Sequence, residues 1–194
     1  MKKMKLFFTG ALSLIVFGLL LPQSIQALLV LFDTPIKDFF AIHTLSLCVI
    51  VGLIQGTSEE CGYYWVLRTL SGKKQPEKAP FYFGLGRSSL HTLFDIGAVL
   101  FTFTSVWGCA LAIISRMLSF EALMKLTMLD YLSYQKKSSL YLALSVLLHA
   151  VLNSVLYAYE LNIINSTANF ESWFIIIYSS IIIIFIALLY KKSA

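Results

Sequence analysis

Residues 39–64 read FFAIHTLSLCVIVGLIQGTSEECGYY. The first seventeen of them, 39–55, contain no Asp, Glu, Lys or Arg, and Glu59 and Glu60 follow at once. A run of roughly 18–20 apolar residues is what crosses a bilayer, so two adjacent carboxylates at its end need a physical reason. The rest of the chain has the same character. Its 194 residues are 58% hydrophobic and 13% charged, with a mean hydropathy of +0.80. Soluble domains are about 45–50% apolar and roughly 25% charged. These numbers exclude an ordinary soluble enzyme and predict an all-α, multi-pass integral membrane protein.

No Pro/Gly/Ser-rich linker and no internal repeat divides residues 1–194, so one transmembrane helical domain is expected. The formal charge of +5 comes from lysines grouped at the ends of apolar runs. That is the positive-inside pattern rather than a nucleic-acid footprint; lipid is the expected partner. Cys48, Cys61 and Cys109 are odd in number and widely spaced, and read as small buried hydrophobes.

Lys2, Lys3 and Lys5 precede an apolar run over 6–21, with Pro22 marking a break or kink. The run is short enough for a signal peptide, but the apolar stretch 28–32 that follows favours a retained first helix. A second helix is expected from near Asp38 to Leu70, and 71–80 is a basic loop. Residues 81–118 suit two short spans turning at Asp95-Ile96-Gly97, and 119–139 reads as a polar, amphipathic, Lys-containing loop. Spans at 140–161 and 173–190 complete six helices, with both termini in the cytoplasm and the protein in a bacterial cytoplasmic membrane. Five helices result if 81–118 is one long tilted element.

Ionisable side chains inside spans cost at least ~2.5–3.5 kcal/mol each on insertion scales. They fall in four places: Glu59 and Glu60; Arg87, His91 and Asp95 at i, i+4, i+8; His149 and Asn153 at i, i+4; and His43. Each has a plain alternative, as a wet helix end, a self-neutralising ladder or interhelical glue. Gly52 and Gly56 form a small-xxx-small pattern that permits close helix approach. Together, carboxylates, imidazoles and a carboxamide on three apolar segments are the groups that activate water and hold an oxyanion in amide hydrolysis. Glu59, His91 and His149 can equally ligate a divalent metal such as zinc, although no His-Glu-x-x-His helix is present.

Glu59-Glu60-Cys61-Gly62-Tyr63-Tyr64, Phe83-Gly84-Leu85-Gly86-Arg87 through His91, and His149 through Asn153 follow one another in chain order. In this the sequence resembles the glutamate-dependent intramembrane proteases: type II CAAX prenyl proteases, bacteriocin-processing enzymes, and the YhfC and PrsW groups. The Gly84-Leu85-Gly86 element most resembles the YhfC group. Tyr63 or Tyr64 stands where that pattern has arginine, and Arg87 stands where it has histidine, with His91 one turn later. The resemblance implies a protease core at about 39–161 and an endopeptidase acting on a membrane-associated peptide or protein. It casts Glu59 as general base with Glu60 in support, His91 as partner histidine, and His149 with Asn153 at the scissile carbonyl. Arg87, Tyr63 and Asp95 are supporting residues, and Arg87 is expected to pair with Glu60 or Asp95 in place of the missing arginine. A catalytically inactive membrane binding or immunity protein is the alternative; a small transporter using the same groups as a relay is a third.

Overall fold

The computed structural model describes residues 2–31, 39–70, 78–102, 106–161, 163 and 170–193. Among the described residues there are helices and no strand. Helix α1 (Lys2–Ser13), a π-helical stretch (Leu14–Leu20) and α2 (Leu21–Leu31) run on from one another as one rod. After one helical turn at 39–42, five long helices follow among the described residues: α3 (Thr44–Leu70), α4 (Ala79–Thr102), α5 (Val106–Lys136), α6 (Ser139–Glu160) and α7 (Phe170–Ser193). Among the described residues, four segments are long and apolar enough to cross a membrane: Lys3–Leu28, Val106–Lys136, Ser139–Tyr159 and Phe170–Lys191. In lipid a helix satisfies its own backbone, which makes this architecture the natural one for such a sequence. The outer surface fits that environment. On α7, Trp173, Ile177, Ile181, Ile184 and Leu188 form an exposed apolar stripe at helical spacing.

Pro22 neither ends nor breaks the first helix. A proline ring clashes with the carbonyl four residues back, here Gly18, and the chain relieves it by widening the preceding turns into the π stretch. The helix expected from near Asp38 is present from the first described residue, with 39–42 helical. His43 N–H bonds to the Phe39 carbonyl at 2.9 Å and Leu47 N–H to the His43 carbonyl at 3.2 Å, which joins this turn to α3 at Thr44. Residues 32–38 lie outside the described residues. So do 71–77, which hold most of the basic loop.

Two expectations are corrected. No turn forms at Asp95-Ile96-Gly97, because α4 continues through it to Thr102; the chain changes element at 103–105, outside the described residues. One glycine costs a helix only about 1 kcal/mol, and Asp95 finds a partner one turn back in His91. Nor is 119–139 a loop. Residues 119–136 are the second half of α5, with Leu123, Leu126, Thr127, Leu129, Asp130 and Ser133 buried. The polar positions that suggest a wet surface face the bundle interior. A tight link at Lys137 and Ser138 then turns the chain into α6, with Lys137 at φ 52°.

The α3–α6 pair is the most extensive helix contact. An added Cβ at Gly52 would lie 2.5 Å from the Ala150 carbonyl oxygen, and one at Gly56 would lie 2.8 Å from the Ala150 nitrogen. The small-xxx-small pattern therefore does pack, and it sets the helices antiparallel at backbone contact. A second close crossing joins α1 to α4, where an added Cβ at Gly86 would lie 1.9 Å from the Phe7 carbonyl oxygen. The obstacles are backbone atoms, which cannot rotate away. Gly56→Val is therefore expected to destabilise the protein by about 1–3 kcal/mol or more, the usual cost of overpacking. Thermal unfolding in detergent checks this, with Leu53→Val, on the exposed face of α3, as the tolerated control.

Candidate functional site

Gly52, Gly56 and Glu60 recur every four residues along the face of α3 that meets α6. The glycine contact thereby delivers the Glu60 carboxylate to the next turn of α6. There Ser145 Oγ donates to Glu60 Oε2 at 3.0 Å, and His149 Nδ1 contacts Glu60 Oε1. Arg87 Nη2 also lies 3.3 Å from Nδ1, but the Glu60 contact is the closer of the two. Because an ionised carboxylate only accepts, it is met with the proton on Nδ1, which leaves His149 Nε2 pointing away from Glu60. Glu59, one residue round the helix, faces the π stretch. An added Cβ on Gly18 would lie 3.3 Å from both the Glu59 carboxyl carbon and the Tyr63 hydroxyl. Tyr63 donates to Glu59 Oε2 at 3.3 Å.

Arg87 ties these groups together. From α4 its Nη2 reaches Glu60 Oε1 at 2.5 Å and Glu59 Oε2 at 3.5 Å, while Nη1 reaches Glu60 Oε2 at 3.2 Å. The fork is bidentate on Glu60, the strongest geometry available to such a pair. Nη1 also donates to Thr127 Oγ1 at 3.2 Å, and the Thr127 hydroxyl spends its own proton on the Leu123 carbonyl. The guanidinium carbon lies 3.7 Å from the centre of the Tyr63 ring, a cation–π contact from which water is excluded. Arg87 and Glu60 are both 0% exposed and Glu59 is 1%. A charge at that depth persists only with partners on every side.

Beside this cluster lies a cavity of about 260 Å³, lined among others by Gln55, His91, Asp95, His149 and Asn153. His91 Nδ1 pairs with Asp95 Oδ2 at 3.1 Å on the α4 wall. Arg116 and Glu171 pair across α5 and α7 on the opposite wall. His149 Nε2 lies 3.8 Å from Glu59 Oε2. One turn beyond His149, the Asn153 Nδ2 group is buried without a hydrogen-bond partner.

The expected residues thus fall into two groups. Glu59, Glu60, Tyr63, Arg87 and His149 converge, and Arg87 takes Glu60 as the reading of 87/91/95 anticipates. His91, Asp95 and Asn153 line the adjoining cavity, where His91 is committed to Asp95 rather than to Glu59. Thr127, Asp130 and Ser145 were missed. The first two lie in the segment read as a loop, and their helical spacing with Ser119 and Ser133 is the signal that could have found them. The donor set does not suit a metal ion. Among the described residues no three His, Cys, Asp or Glu side chains are grouped to hold one. The place between the two carboxylates that a cation would take belongs to the Arg87 guanidinium.

No family model, curated protein or solved structure matches the chain.

Removing one partner of a buried pair leaves the other charge uncompensated, at a cost of about 3–5 kcal/mol. Arg87→Ala is therefore expected to lower unfolding temperature and membrane abundance sharply. Arg87→Lys should recover only part of the loss, because one ammonium cannot reproduce the planar fork. Thermal unfolding of the two purified variants measures both effects.

Proposed function

We propose that the protein is a membrane-embedded, glutamate-dependent peptidase that hydrolyses a peptide bond of a membrane-associated peptide or protein. The observation that carries this reading is the approach of Glu59 Oε2 to His149 Nε2, 3.8 Å apart, with His149 on the wall of a polar cavity. With the Nδ1 proton committed to Glu60, His149 Nε2 offers a lone pair, and a water held there beside the Glu59 carboxylate meets two bases, although Tyr63 and Arg87 already donate to Glu59 Oε2. In this mechanism the water oxygen bonds to the scissile carbonyl carbon while Glu59 takes its proton. The unspent Asn153 amide donates to the oxyanion, and the proton on Glu59 passes to the departing amine as the C–N bond breaks. Glu60, Arg87 and Tyr63 hold the reacting groups in place.

The orientation belongs to the same proposal. Lys3 lies over the Tyr82 ring at 5.5 Å, so the first helix begins beside the start of α4. The antiparallel packing sets Arg68, Lys136 and Lys137 at that same end, while Asp95 and Glu171 lie at the other. By the positive-inside bias the basic end, with both termini, faces the cytoplasm of a bacterial cell and the cavity faces outward.

One observation favours a second reading. Arg87 contacts both carboxylates, as in a site kept for stability in a membrane binding or immunity protein. Substituting Glu59 separates the two. Peptidase activity predicts that Glu59→Gln keeps normal abundance and loses about 10²–10⁴-fold in cleavage, the usual contribution of a general base. The measurement is a comparison of new protein N-termini in membranes of cells expressing wild type or Glu59→Gln. Identical N-terminal profiles at equal abundance support the binding protein instead.

A further inference from the structure

The basic end of the bundle holds a second cavity, of about 670 Å³, between the ends of α3 and α5 and the start of α6. It shares no lining residue with the cavity at His149. Its polar wall is Tyr64 and Arg68 of α3, Tyr134 of α5, and Lys137, Ser138 and Ser139 at the α5–α6 link. Among the described residues no Asp or Glu lines it. The volume falls within the roughly 300–1,000 Å³ of small-ligand sites.

Charge is the first indication of what it takes. Among the described residues neither Arg68 nor Lys137 has an ion-pair partner. A cation in the last turn of a helix offsets the helix dipole, so Arg68 alone would call for no ligand. Two cations on one cleft without a carboxylate do more: they concentrate positive potential there and gather anions.

The backbone gives a second, independent indication. Lys137 is the one described residue with a positive φ, at 52°. Ser138 N–H donates to the Ser133 carbonyl at 3.1 Å, and the Ser133 hydroxyl donates to the Ser138 carbonyl at 2.8 Å. A bond from residue 138 back to 133 is the common glycine ending of a helix, in which the residue between them takes the left-handed conformation. Glycine fills that place without strain, and lysine does not. What lysine adds there is a charge on the cavity wall. The same link opens α6 toward the cavity. Ser138 stands at its N-cap but makes no side-chain capping bond, which leaves the first N–H groups of α6 without that partner.

We propose that this cavity binds a phosphate ester of lipid-headgroup size, its oxygens shared among the Arg68 guanidinium, the Lys137 ammonium and the first N–H groups of α6. The two oxygens of a carboxylate would be used up by the Arg68 fork, whereas donors from separate elements suit the several oxygens of a phosphate. Tyr64 and Tyr134 bring hydroxyls and apolar ring surface to the same place, as suits a site at the membrane–water boundary. The site does not depend on the peptidase reading and would serve an inactive protein equally.

Thermal unfolding of the purified protein in neutral detergent tests this, with short-chain phosphatidylglycerol, short-chain phosphatidylcholine or glycerol 3-phosphate added. Phosphatidylglycerol at saturation is expected to raise the unfolding temperature by about 5 °C or more, and the uncharged phosphatidylcholine headgroup by less than half as much. An equal rise with glycerol 3-phosphate would identify a soluble phosphate ester as the ligand, and a smaller one the lipid; either supports the site. Lys137→Gly is the deciding variant, because it removes the cation and relieves the backbone. Without ligand it should unfold no lower than wild type, yet lose more than half of the phosphatidylglycerol shift. Arg68→Gln should lose as much, while Lys5→Gln, at the same end but outside the cavity, keeps the shift. Equal shifts with the two lipids would overturn the proposal. So would a shift in Lys137→Gly or Arg68→Gln as large as that in Lys5→Gln, which would leave only diffuse attraction of anions to the basic end.

Discussion

The Arg87–Glu60 ion pair is the constraint on which the rest of this bundle depends. A guanidinium without solvent must be matched by anions and acceptors at hydrogen-bond distance, or the helix carrying it cannot stay buried. Those partners come from different elements: Glu59 and Glu60 from α3, Thr127 from α5, and the Tyr63 ring beneath the cation. Ser145 and His149 of α6 then complete the far side of Glu60. Four helices are therefore held by one salt-bridged centre, in a protein whose outer face gains nothing from hydrophobic burial in lipid.

The glycines make that centre reachable. Gly52 and Gly56 bring α3 and α6 to backbone contact, which leaves Glu60 opposite Ser145 and His149. Gly10 and Gly86 do the same for α1 and α4, and an added Cβ at Gly10 would lie 3.2 Å from the Arg87 backbone nitrogen. Gly18, in the turns widened by Pro22, closes the roof over Glu59 and Tyr63. Larger residues at these points would hold the helices apart and break the short contacts that make a buried charge tolerable. Packing and electrostatics here are one requirement, and the polar cavity lies next to the place where it is met.

The fold class was legible because apolar length and lysine placement report directly on lipid. The glutamate pair, Arg87 and His149 were legible because a charge in an apolar run has few explanations. What sequence reasoning lost was α5. Ser119, Thr127, Asp130 and Ser133 look like a wet surface when read by composition, yet they turn inward toward other polar groups. Composition reports how polar a segment is; it says nothing about which neighbour satisfies it. The same limit applies to Asp95 and Gly97, a turn signal by residue type that the His91 pairing absorbs into a continuous helix. His91 itself was assigned a catalytic place by motif spacing, while its i, i+4 spacing from Asp95 offered the self-neutralising ladder that the structure shows.

The most direct test of the central claim is a double-mutant cycle between Arg87 and Glu60, read as unfolding free energy in detergent. Arg87→Gln and Glu60→Gln, alone and together, remove each charge while keeping most of the side-chain volume. If one salt-bridged centre holds α3 and α4 together, the single variants should each be strongly destabilised. The double variant should be little worse than either, giving a coupling at the upper end of the ~0.5–3 kcal/mol seen for interacting residues. Additive effects, with coupling below about 0.5 kcal/mol, would mean that the two charges act independently and would contradict the account.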